Sequence, residues 1–381
     1  MRKHLKPIIL SLLMLALSLS VATNSLNSEV ETPTFEETVE PFNVILPLAD
    51  LNVAGHQEGS IFTDTTLSSG GSHTCAILDN GSVSCWGFGF YGQLGNGGTS
   101  DKTTPTLTSS LGTGRTAVAL SSGSVHTCAI LDNGAVSCWG RGNYGQLGNG
   151  GNFSTVSDKT TPTLTSSLGT GRTAVALSSG SYHTCAILDN GLVSCWGFGG
   201  NGQLGNGATS WKYTPTLTSS LGTGRTAVAL SSGGYHTCAV LDNGSVSCWG
   251  GGSDGQLGNG GISSMSTPTL TSSLGIGRTA VAISVGTRHS CAILDDGLVK
   301  CWGDGNNGQL GNGATSDKTT PTITSTLGTG HAAVALSSEG YHTCAILDNG
   351  SVSCWGLGSD GQLGNGGNSS SSIPALISSL A

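Results

Sequence analysis

The chain has 381 residues, of which 62 are Gly, 12 are Cys and only 9% are charged, and its formal net charge is −8. Lys and Arg are too thin to build a basic stripe, which argues against a nucleic-acid binder. An even set of cysteines in a chain that opens like an exported one points to an oxidising compartment.

Residues 1–22 read as an export signal. Arg2, Lys3 and Lys6 form a basic start, Pro7 to Ala22 is apolar, and Ser20-Val21-Ala22 is a small-residue cleavage site. Retention of this segment as an anchor is the alternative, although the apolar run is short for a membrane span, which needs roughly 20 residues. No second hydrophobic segment follows, so no membrane span is expected in the mature chain. Without its three basic residues the chain keeps 11 of its 14 Lys plus Arg against 22 Asp plus Glu, a balance of −11. Residues 23–60 then carry Glu29, Glu31, Glu36, Glu37 and Glu40 among Pro, Ser and Thr, a linker composition that cannot bury enough surface to order itself. Within it, Phe42-Asn43-Val44-Ile45-Leu46 reads as a short strand able to dock.

Residues 61–381 repeat one sentence six times: His-Thr-Cys-Ala-Ile-Leu, Asp-Asn-Gly, Ser-Cys-Trp-Gly, then Gly-Gln-Leu-Gly-Asn-Gly. The copies begin at His73, His126, His183, His236, His289 and His342, 53 residues apart except for one spacing of 57. A period of about 50 residues marks a supersecondary unit that cannot bury its apolar face alone. In the first copy, His73–Leu78 and Ser82–Trp86 read as strands around Asp79-Asn80-Gly81, a bulged hairpin loop with Gly at the left-handed position. That turn sets Leu78 opposite Ser82, Ile77 opposite Val83 and Cys75 opposite Cys85. The last is a non-hydrogen-bonded pair, which brings Cα atoms to about 4.5 Å, close enough for a disulfide. The same spacing predicts Cys128–Cys138, Cys185–Cys195, Cys238–Cys248, Cys291–Cys301 and Cys344–Cys354. Reduced core thiols are the alternative; a zinc site is disfavoured because nine intervening residues differ from finger spacing.

A strand before the hairpin (Ala117-Val118-Ala119-Leu120) and one after the variable loop (Thr104 to Thr108, with Pro105 at a sheet edge) complete a small antiparallel sheet. The expected fold is all-β: a β-propeller of six repeats. An open β-solenoid has shorter repeats. Six closed blades are favoured; an open arc or incomplete seven-blade ring, with 42–60 filling the gap, is the alternative.

The repeated words, above all Trp86-Gly87 followed by Gly92-Gln93-Leu94-Gly95, resemble the repeat of the regulator of chromosome condensation family over roughly residues 62–381. The resemblance implies one repeat per blade, although family propellers usually have seven. Founding members are exchange factors for a small nuclear GTPase and bind chromatin. An exported, acidic chain has neither partner at hand, so that activity is not carried over. Bacterial relatives include an inhibitor of β-lactamase.

Almost every polar group occurs six times, whereas an active site needs residues that occur once. The repeated His is read as ordering its own blade rather than as a metal ring, and the Asp-Asn-Gly sites as turns rather than calcium loops. No nucleophile elbow, phosphate loop or zincin pair is present. Hence no catalytic, metal or cofactor residue is assigned.

What differs between copies is the loops, and there the aromatics gather. Phe88, Phe90, Tyr91, Arg141, Tyr144, Tyr182, Phe198, Trp211, Tyr213 and Tyr235 form the candidate partner-binding set, weighted to copies one to three. The equivalent sites later hold Asp254, Asp304 and Asp360. Aromatics and Arg on loops over a rigid scaffold have hot-spot composition; capping of blade edges is the plainer alternative. The reading is a secreted or cell-surface monomer that binds an unknown protein or adheres. A secreted enzyme inhibitor and a glycan-binding or glycan-cleaving propeller are the alternatives. Asn152-Phe153-Ser154 in the longest loop is a glycosylation sequon.

Overall fold

Each repeat folds around its turn. In the first, the Gly81 N–H donates to the Leu78 carbonyl and the Leu78 N–H to the Ser82 carbonyl, both at 2.8 Å, with Gly81 at φ 74°. A Cβ there would meet the strained backbone and also Thr116 of the next repeat at 2.4 Å. The register is the one the turn dictates: Ile77 pairs with Val83 and Cys75 with Cys85. All six cysteine pairs are joined as disulfides across 4.1 Å between Cα atoms.

The structure, a computed structural model, describes residues 67–151, 157–328 and 330–378. The export signal, the 23–60 linker, the 42–46 strand and the 152–154 sequon lie outside the described residues. Blade 1 is formed by β1 (Leu67–Ser69), β2 (His73–Ile77), β3 (Val83–Gly87) and β4 (Lys102–Leu107), antiparallel and in chain order. Five further sheets repeat it, and among the described residues there is no helix. Six four-stranded antiparallel sheets in a ring make a six-blade β-propeller. Pro105 sits in β4, the outermost strand, beside a register shift, so its missing N–H removes no needed ladder bond.

The core lies between blades rather than within them. Cys75, Val83, Cys85 and Leu94 of blade 1 pack with Leu120, Ala129, Leu131 and Trp139 of blade 2 in one buried cluster. Four equivalent clusters follow between successive blades. Hydrogen bonds fasten the same junctions. The His73 Nε2 meets the Thr127 hydroxyl at 2.7 Å, the Trp139 indole N–H donates to the Gln93 carbonyl at 2.9 Å, and the Gly97 N–H donates to the Thr160 carbonyl at 2.8 Å. On the inner strands the Ser122 N–H donates to the Ser68 hydroxyl at 2.8 Å. The His bond recurs as His126 with Thr184, His183 with Thr237, His236 with Ser290 and His289 with Thr343. These bonds correct one expectation: the repeated His ties its blade to the next one, rather than ordering its own.

Candidate functional site

In an antiparallel sheet, alternate connections emerge at opposite ends. The loops after Trp-Gly, before His and after Gly-Asn-Gly therefore share one face of the ring, and the Asp-Asn-Gly turns occupy the other. The turn face carries exposed ion pairs such as Arg115–Asp132 at 3.1 Å, repeated as Arg172–Asp189, Arg225–Asp242 and Arg278–Asp295. Pairs that exposed contribute about 0–1 kcal/mol each.

On the loop face, a buried glutamine sets the geometry. Gln93 is fully buried; its carbonyl accepts from Trp139 and its Oε1 from the Tyr91 N–H at 2.9 Å. Gln146 holds the Tyr144 N–H in the same way, and Gln203, Gln256 and Gln309 hold Asn201, Asp254 and Asn307. One fixed position per blade is thereby displayed. It is Tyr in blades 1 and 2, Asn or Asp in blades 3 to 6. The role of this glutamine is not legible in its spacing; its only signal is a polar residue repeated between a Gly and a buried Leu.

Eight of the ten candidate residues come together. Phe88, Phe90 and Tyr91 contact one another with ring centroids 5.2–6.3 Å apart. Tyr144 stands edge-on to Tyr182, Phe198 and Trp211 at 5.2, 5.6 and 5.0 Å. Arg141 joins the two groups: its guanidinium lies 4.8 Å from the Tyr91 ring, 5.5 Å from Tyr144 and 6.0 Å from Tyr182. Phe90 is 63% exposed at the edge of this patch. The other two candidates stand apart. Tyr213 lies on the strand Lys212–Leu217, facing Gly145 at a blade junction. Tyr235 lies 5.6 Å from Arg288, which pairs with Asp254 at 3.4 Å.

Arg141 differs from its fellows. Arg115, Arg172, Arg225, Arg278 and Arg288 each pair with an Asp. Among the described residues no carboxylate pairs with Arg141, whose charge rests on three ring faces. A guanidinium so placed keeps planar donors for a carboxylate.

The histidines offer different chemistry. Burial holds His126, His183, His236 and His289 at a pKa of about 3 and His73 at about 4, with neighbouring imidazoles adding to the effect at His126. They are neutral hydrogen-bonding groups at physiological pH. Among the described residues no three His, Cys, Asp or Glu side chains gather as a metal site would need.

Two profiles of the regulator of chromosome condensation (RCC1) repeat each match six times. One covers 65–93, 117–146, 174–203, 227–256, 280–309 and 333–362, and the other runs from 80–130 to 349–381. The chain is 32% identical over 313 residues to the ultraviolet-B receptor UVR8 of Arabidopsis thaliana, covering 82% of this chain and 69% of that one. It is 31% identical over 315 residues to the human E3 ubiquitin-protein ligase HERC2, again over 82% of this chain but only 6% of that protein's length. Among solved structures, yeast RCC1 (Prp20) bound to Kap60 superposes with a TM-score of 0.70 at 22% identity, covering 82% of this chain and 74% of that one.

Proposed function

Because the chain belongs to the regulator of chromosome condensation (RCC1) repeat family, we propose that it is an exported, non-catalytic propeller that binds a protein partner through the loop face of blades 1 to 3. The observation that carries this is the continuous patch from Phe90 through Arg141 to Trp211, held by a glutamine-locked scaffold. Rigid aromatics lose little entropy on binding, and a ring-stacked Arg is a typical hot spot. The matching partner surface is apolar with a carboxylate, which the unpaired charge of Arg141 would engage bidentately. Yeast RCC1, bound to Kap60, is a relative whose propeller meets another protein. Export is supported by the basic-then-apolar start and by six disulfides, which persist in oxidising compartments.

The test is capture of partners from secreted and surface proteins, followed by affinity measurement with Arg141→Gln and Trp211→Ala. Each substitution is expected to weaken binding at least about tenfold, since hot spots cost about 2 kcal/mol or more. Unchanged affinity with an unchanged melting curve would reject the site. Retention on polysaccharide that depends on Trp211 would replace the protein partner with a glycan.

A further inference from the structure

Five of the six places where blades meet carry one set of bonds. The indole bond of Trp139 to Gln93 recurs as Trp196 to Gln146, Trp249 to Gln203, Trp302 to Gln256 and Trp355 to Gln309. The glycine bond of Gly97 to Thr160 recurs at Gly150, Gly207, Gly260 and Gly313, and the inner serine bond recurs at Ser179, Ser232, Val285 and Ser338. Between blade 6 and blade 1, among the described residues, none of them is made. The exposure follows suit. Trp86 is half-buried, whereas the other five Trp-Gly tryptophans have no accessible surface. Gly364 is exposed, whereas its five equivalents are buried against the next blade's indole.

The residues for a sixth set are nevertheless all present. Blade 6 offers His342, the Gln362 carbonyl, the Ser337 hydroxyl and the Gly366 N–H; blade 1 offers Thr74, the Trp86 indole, the Ser69 N–H and the Thr103 carbonyl. End repeats of an open array are normally altered into polar caps. Here the two end faces keep the same joining residues as the internal blades, Trp86 and Gln362 included. A half-exposed indole and an imidazole with no partner are what a cap would remove.

We propose that blade 6 closes directly on blade 1 through His342–Thr74 and Trp86–Gln362, making a sixth junction like the other five. The occupant of this seam is the chain's own first blade. Both faces belong to one molecule, so joining them has the high effective concentration of an intramolecular step. Closure also completes the loop face. It sets Asp360 against Ser72 and Phe88, in the way that the equivalent Tyr144 stands against Tyr182 and Phe198, and so borders the aromatic patch with a carboxylate.

The experiment uses the full chain and reads tryptophan accessibility by oxidative labelling and mass spectrometry. Closure predicts that Trp86 is labelled no faster than Trp139, with Trp211 as the exposed reference. It also predicts coupling: His342→Gln and Thr74→Val each lower the melting temperature, and the double variant lowers it no further than the worse single one, as with His289 and Thr343. Rapid labelling of Trp86, or additive effects of the two substitutions, would overturn the proposal. Protection that disappears on dilution would assign the seam to a second copy instead. Protection lost when residues 46–60 are replaced by Gly-Ser would assign it to that segment. Both would overturn direct closure.

Discussion

His183 sits at a junction with no accessible surface, bonded through Nε2 to Thr237. Its low pKa makes it, and its four buried counterparts, sensors of acid. In the unfolded chain these imidazoles titrate near 6.5. Between that value and about 3–4 the unfolded state binds protons that the folded state refuses, so stability is complete above pH 6.5 and lost as pH falls. Each buried His then costs about 1.4 kcal/mol per pH unit. Urea unfolding at pH 7.5 and pH 5 is expected to show a lower midpoint in acid, with His183→Gln lessening the drop. A midpoint independent of pH would reject this account. The six-fold His was visible in the sequence; its direction was not. A hydroxyl 54 residues further on, Thr237, is its partner, and only the packing of one sheet on the next brings them within 2.8 Å.

The hairpin is the element that the sequence describes most completely. A three-residue turn ending in Gly leaves one register, and that register places Cys128 opposite Cys138 as surely as Ile130 opposite Val136. The bridge spans ten positions, and the loop-entropy account allows it at most about 3 kcal/mol, less because the turn already confines the hairpin. The double substitution Cys128→Ala and Cys138→Ala is therefore expected to cost about 1–3 kcal/mol in urea unfolding without loss of the fold. No measurable change would show that the hairpin alone holds the blade. Loops are harder to read than hairpins. Nothing in the spacing shows that Gln93 turns back to hold Tyr91, or that Arg141 reaches three tyrosines belonging to three different loops. Conversely, Tyr213 and Tyr235 share the composition of the patch but not its place, because loop position in the chain does not specify position around the ring.

For the whole molecule, six disulfides predict that full reduction raises the intact mass by about 12 Da; an unchanged mass would show that the thiols are free. The number of blades, the order of strands within each and the pairing of every cysteine all follow from local pattern: turn chemistry, strand alternation and a 53-residue period act over a few residues or one repeat. The sequence by itself therefore determined an all-β propeller of six disulfide-braced sheets. What only the tertiary structure decided concerns neighbouring blades: which hydroxyl each His meets, which carbonyl each Trp indole meets, and which eight of ten loop residues share one patch. It also separated five completed junctions from the seam at Trp86 and His342. The physical reason is that such contacts depend on how one sheet rotates against the next, and that rotation is set by side-chain packing between blades rather than by any pattern along the chain.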